Sequence, residues 1–245
     1  MSEMSSQNNI LFFPMVARPC ILEVLTEFLD AQARRLKPRT YRRYEEVVDL
    51  FRHCLNNYGV EELTNSTDLI FYERLYLRKN LEFTATFGAD KILPSLPYFL
   101  NFFMLRKVMA SEELLEAAGT VSKRLVRWLE ERGYVGSEEA KEAAKVVTEA
   151  ARELPAAERV ARLLFHYAQS HAPRYWTSEL DDYFTIDKVD PGVLVLAGSN
   201  TAALVELKVP REITDQCKEG WQVSLLLGKT QGGWSILETG NVYPS

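Results

Sequence analysis

Six positive charges and no acid fall between Arg34 and Arg43, in a chain whose formal net charge is -5. The cations are Arg34, Arg35, Lys37, Arg39, Arg42 and Arg43, and the hydroxyl of Thr40 lies among them. Guanidinium groups present planar forks of N–H donors that match phosphate oxygens, and a helix start adds backbone N–H groups with no partner. Pro38 suits a first helical position, where it has no N–H to lose. Arg39, Arg42 and Arg43 then share one face of the helix that follows. The chemistry is electrostatic: such a corner can hold a phosphate. Contacts of this kind position a protein on nucleic acid without reading bases. The opposing reading is a solvated basic face paired with Glu45, Glu46 and Asp49 one turn on.

Other chemistry is not indicated. Cys20, Cys54 and Cys217 are far apart and form no CxxC pair, so they are read as small apolar residues in a reducing compartment. His166 and His171 miss the i,i+4 spacing that puts two ligands on one helix face, and no metal site is expected. Gly228-Lys229-Thr230-Gln231-Gly232-Gly233 is glycine-rich but lacks the Gly-Lys-Ser/Thr run that opens a helix in a phosphate loop; it is read as a flexible hairpin. No paired carboxylates or nucleophile–base set occurs at useful spacing. The chain is therefore read as non-enzymatic, with no cofactor and no small-molecule substrate.

The elements that must position the basic corner follow from periodicity. An apolar fraction of 47% and a charged fraction of 26% are ordinary for a globular protein. Residues 1–19 read as a flexible lead-in. The stretch from Ile10 to Val16 is interrupted by Pro14, and is neither a signal peptide nor a membrane span; a cytoplasmic place is expected. A helix from Cys20 to Leu36 and a second from Pro38, with Gly59 as its C-terminal stop, come first; the apolar face of the latter is Tyr41, Tyr44, Val47, Val48, Phe51, Cys54, Leu55 and Tyr58. A short helix near Leu69–Arg78, a loop to Leu93, a helix near Leu96–Met109 and one from Ser111 to Gly133 complete a helical domain over 20–136. Gly119 lies inside the last of these as a possible bend.

Residues 137–174 turn Ala-, Glu-, Lys- and Arg-rich. They read as a helical connector, broken or restarted at Pro155. Its stripe of Val160, Leu163, Leu164 and Tyr167 either packs on the first domain or forms an interaction surface. The period then changes from 3.6 to 2. Strands are expected over 183–189, 193–197, 203–209, 221–227 and 234–242, with a helix between the third and fourth. That is the order of an OB-type barrel, with an SH3-like barrel as the alternative, in a domain over 175–245. The fold class expected is α+β: a helical bundle, an Ala-rich helix and a small five-stranded barrel. Its second and third strands hold no aromatics for bases to stack on, and the aromatics cluster at Trp221, Trp234 and Tyr243.

Three stretches of the helical part resemble the N-terminal SAM-like, or core-binding, domain of phage integrases and other tyrosine recombinases. They are Leu25-Thr26-Glu27-Phe28-Leu29, Leu36-Lys37-Pro38-Arg39-Thr40-Tyr41-Arg42-Arg43-Tyr44 and Val121 to Tyr134. The family usually has serine where Lys37 stands. The recombinase catalytic domain has no counterpart, and Tyr243 lacks the arginines and histidine such a nucleophile needs. The resemblance implies a helical module that clamps duplex DNA without chemistry. The candidate DNA-binding residues are Arg34, Arg35, Lys37, Arg39, Thr40, Arg42 and Arg43. Two functions stay open: a DNA-binding or accessory protein, or a protein-interaction scaffold that keeps the fold without DNA, through a partner or self-association at Val160, Leu163, Leu164 and Tyr167 or at the barrel.

Overall fold

A computed structural model describes residues 17–79, 81–199 and 204–244. The expected lead-in lies outside the described residues up to position 16, as does the start of the third expected strand. An N-terminal helical region is followed by a closed five-stranded barrel. The helices are α1 (Ile21–Ala33), α2 (Pro38–Tyr58), α3 (Ser66–Lys79), α4 (Phe83–Thr86), α5 (Ile92–Tyr98), α6 (Met104–Arg106), α7 (Glu112–Glu131) and α8 (Ser137–His171).

α2 begins at Pro38 as its sequence requires, and its buried face is Tyr44, Val47, Val48, Phe51, Cys54 and Leu55. α2 stops at Tyr58 with Gly59 as its C-cap, as expected, although Gly59 is right-handed, φ -58. A Cβ there would lie 2.9 Å from the Phe83 ring, and the glycine makes room for that ring. The loop expected up to Leu93 is instead built of short turns, α4 and a 3-10 turn at Ala89–Lys91. α5 and α6 are joined through a π-helical stretch, Phe99–Phe103, so this helix starts at Ile92 rather than Leu96. Pro97 has no N–H for the carbonyl one turn back, and the wider turns come directly after it. Ser111 caps α7, its hydroxyl accepting from the Leu114 N–H at 3.3 Å.

α8 is one continuous helix of 35 residues with Pro155 inside it, which corrects the expected break. Proline removes one backbone hydrogen bond there. Packing carries the helix through, because Leu154, Pro155 and Ala157 are buried on both sides of the gap. The two halves of α8 serve different cores. Ala140, Val147, Ala150 and Leu154 pack with the helical region. Ala157, Val160, Leu164 and Ala168 pack with the barrel.

The barrel strands are β1 (Glu179–Asp190), β2 (Val193–Gly198), β3 (Leu204–Lys208), β4 (Gln222–Thr230) and β5 (Gly233–Tyr243), with the short helix α9 (Arg211–Thr214) between β3 and β4. Their order around the barrel is β1-β2-β3-β5-β4, and β3 pairs with β5 in parallel. The inward face of β4 alternates as expected: Val223, Leu225 and Leu227, with Trp221 just ahead of it, are buried. Polar and ring contacts also tie the barrel to the helices. The Asn241 Nδ2 donates to the Leu105 carbonyl at 2.9 Å. The Arg106 guanidinium lies 4.0 Å from the centre of the Tyr243 ring. Lys218 Nζ reaches the buried carboxylate of Glu153 at 2.7 Å.

Candidate nucleic-acid interface

α1 ends in a tight turn in which the Arg35 and Leu36 N–H groups both donate to the Gln32 carbonyl, at 3.0 and 2.9 Å. Gln32 is buried, and its side-chain oxygen accepts from Arg35 Nε at 3.0 Å and from a terminal nitrogen at 2.8 Å. That fixes the Arg35 guanidinium. Lys37 is extended, as a residue before proline must be, and supplies no side-chain cap to α2. The first helical bond is from the Tyr41 N–H to the Lys37 carbonyl, at 2.9 Å. The Arg39 and Thr40 N–H groups before it belong to the unpaired first turn of α2.

Arg34, Arg35, Lys37, Arg39, Thr40, Arg42 and Arg43 are all exposed around this corner. Of the three acids one turn on, only Glu46 reaches back, to Arg43 at 2.8 Å. Asp49 pairs with Arg52 at 3.3 Å. Glu45 acts on Tyr41, whose hydroxyl is pushed up first by burial and then by that carboxylate. Among the described residues, Arg34, Lys37, Arg39 and Arg42 form no ion pair.

The end of α7 lies beside the end of α1, which the sequence did not disclose. Gly133, at φ +73, turns the chain after α7, and the Tyr134 N–H closes that turn on the Leu129 carbonyl at 2.9 Å. Tyr134 then donates its hydroxyl to Glu27 of α1 at 2.6 Å, and Arg132 pairs with the same carboxylate. Arg124 grips Glu131 with two bonds, at 2.9 and 3.0 Å. The Glu131 carboxyl is held below the usual range mainly by that grip, with the charges of Arg127 and Arg35 adding to it. Arg124 and Arg127 thus extend the basic corner, while Glu27 and Glu131 partly neutralise it. Nothing local in the sequence marks this juxtaposition.

The Glu27 carboxyl is lowered first by the Tyr134 hydroxyl and then by Arg132. A lowered folded-state value means the contact stabilises fully above the unfolded carboxylate value, about 4.3, and is lost as pH falls through the folded one. The pair is partly exposed, so the effect is screened and modest. Glu27→Gln is expected to be less stable than the parent at neutral pH in urea unfolding. The gap should close below about pH 4.

The other candidate set is placed differently. Val160 and Leu164 are buried against the barrel, and Leu163 and Tyr167 are partly buried against the same core. The stripe therefore packs on the barrel rather than on the first domain, and its buried members Val160 and Leu164 are covered within the chain. An apolar stripe reveals that it is covered and not by what. Among the described residues, no three His, Cys, Asp or Glu side chains are grouped to hold a metal, and no helix is long and apolar enough to cross a membrane. Cys20 and Cys54 are buried, and burial pushes the Cys217 thiol up to about 12. Comparison with protein-family models, curated proteins and solved structures finds no match to this chain.

Proposed function

We propose that this chain is a non-catalytic DNA-binding or accessory protein whose α1–α2 corner holds the backbone of duplex DNA. One observation carries the reading. Arg34, Lys37, Arg39 and Arg42 stand exposed around an uncapped helix start, without carboxylate partners among the described residues. Cations kept free of internal pairs beside open N–H groups are suited to phosphate oxygens. The resemblance to integrase core-binding domains rests on its quoted motifs. It gains support from packing, since the three stretches meet in one aromatic set. Phe28 lies against Tyr44 and Trp128, at 6.1 and 5.5 Å between ring centres, and Trp128 against Tyr134 at 5.7 Å.

The strand order of the barrel, with a helix between β3 and β4, supports an OB-type barrel over an SH3-like one. Tyr243 packs in the helical core under Arg106, a setting that supports a structural role rather than a nucleophilic one. Cys20 and Cys54, buried as small apolar side chains, support a reducing, cytoplasmic place of action.

The test is a mobility-shift titration of a short duplex at about 50 and 200 mM salt. Affinity should fall with salt, by about 0.9 logarithmic unit per decade for each phosphate neutralised. Changing Arg39, Arg42 and Arg43 together to alanine should weaken binding about tenfold and flatten the slope by two to three such contacts. Unchanged affinity in the triple variant would overturn the proposal. No duplex binding by the parent at low salt would return the chain to the scaffold reading.

A further inference from the structure

The segment between α8 and β1 carries aromatic rings that the fold leaves uncovered. Tyr175 is 88% exposed and Trp176 41%. Neither belongs to a hydrophobic core. The backbone directly after them is nonetheless pinned. The Thr177 N–H donates to the Lys229 carbonyl at 2.9 Å, and the Lys229 N–H to the Ser178 carbonyl at 2.9 Å. The Trp176 Nε1–H donates to Glu179 Oε1 at 2.7 Å, which fixes the indole. The β4–β5 turn opposite is held by Thr230. Its hydroxyl donates to the Gly233 carbonyl at 2.9 Å and accepts from the Gly232 N–H at 3.2 Å. The glycine-rich stretch is thus a tight hairpin and not a loose one. Between the two segments lies a cleft of about 550 Å³, lined by Arg174, Tyr175, Trp176, Lys229 and Gln231 among others. Lys229 Nζ also lies 5.6 Å from the centre of the Trp234 ring, at the edge of the cleft.

We propose that this cleft binds a single-stranded segment of nucleic acid. Bases would stack on Tyr175 and Trp176, and phosphates would lie against Arg174 and Lys229. Charge complementarity selects this occupant. A proline-rich peptide or a sugar would use the exposed rings but has no use for two flanking cations, whereas a nucleic-acid strand uses both. Gln231 adds an amide that can donate to or accept from a base edge. The Trp176 indole, held by Glu179 before binding, loses little freedom on stacking. The feature escaped a reading by period because these rings lie between elements, where neither the helical nor the strand repeat applies.

The site is separate from the basic corner, so the two readings fail independently. Anisotropy of a labelled oligothymidylate of about eight nucleotides, titrated with the full chain at low salt, should show saturable binding. Each phosphate neutralised should contribute about 0.7 to the salt slope. The double variant Tyr175→Ala, Trp176→Ala should bind at least about tenfold more weakly, with an unchanged thermal midpoint because both rings are exposed. Lys229→Ala should flatten the slope by about one contact. The triple variant at Arg39, Arg42 and Arg43 should retain this binding while losing duplex affinity. The proposal is overturned by an absence of saturable binding, by equal affinity in the double variant, or by equally tight binding of an uncharged proline-rich peptide.

Discussion

Gly119→Ala is expected to cost about 3 kcal/mol of folding stability, the upper end for overpacking by one methyl group. The added Cβ would lie 2.3 Å from the Ala151 Cβ and 2.7 Å from its Cα. The obstacle is the backbone of α8 and not the tip of a flexible side chain, so the two helices would have to move apart. α8 resists that, because its second half is locked into the barrel core. Alanine's better helix propensity returns about 1 kcal/mol, which does not close the gap. Urea unfolding measures the loss. Ala151→Gly in the same background should restore only part of it, because the Ala151 Cα still lies 2.7 Å from the added Cβ, but even a partial rescue is something a general defect in α7 would not allow. Gly136→Ala is the matching control, since its Cβ would meet only a Glu139 oxygen at 3.7 Å. An undiminished Gly119→Ala variant would show that the helices do not approach this closely.

Leu164→Ala is expected to cost about 2–5 kcal/mol, as for other leucines truncated in a core. Leu164 is 1% exposed and packs with Val160 and Ala157 against the barrel. A leucine at a partner surface behaves differently: truncation spares the stability of the chain and changes its association. The expected outcome is a lower unfolding midpoint with an unchanged sedimentation coefficient for the folded protein. The reverse pattern would restore the stripe as an interaction surface.

Local signals in the sequence were read with success where local physics decides. Pro38 opens α2, Ser111 caps α7, and the alternation through Val223, Leu225 and Leu227 faces the barrel interior. Failures occurred where a distant partner decides. Gly59 does follow the last residue of α2, but its lack of a side chain also serves the distant Phe83 ring, which no local signal marks. Gly119 looked like a bend, but it is the contact point for Ala151. Pro155 looked like a break, but burial on either side carries the helix across it. In the candidate interface, the charge run and its exposure were legible. The arrival of Arg124 and Arg127 beside it was not, because it depends on how α7 packs against α1.

The sharing of α8 between two cores has a consequence for how such a chain can vary over generations. The composition shift near residue 137 looks like a seam at which one half could be exchanged for another. A recombination there would leave the helical region without the wall that Ala140, Val147, Ala150 and Leu154 provide. One near residue 174 would strip the barrel of Ala157, Val160, Leu164 and Ala168. Either junction deprives one recipient of part of its lining. The two halves are therefore bound to be inherited together, and each constrains the substitutions that the other can accept.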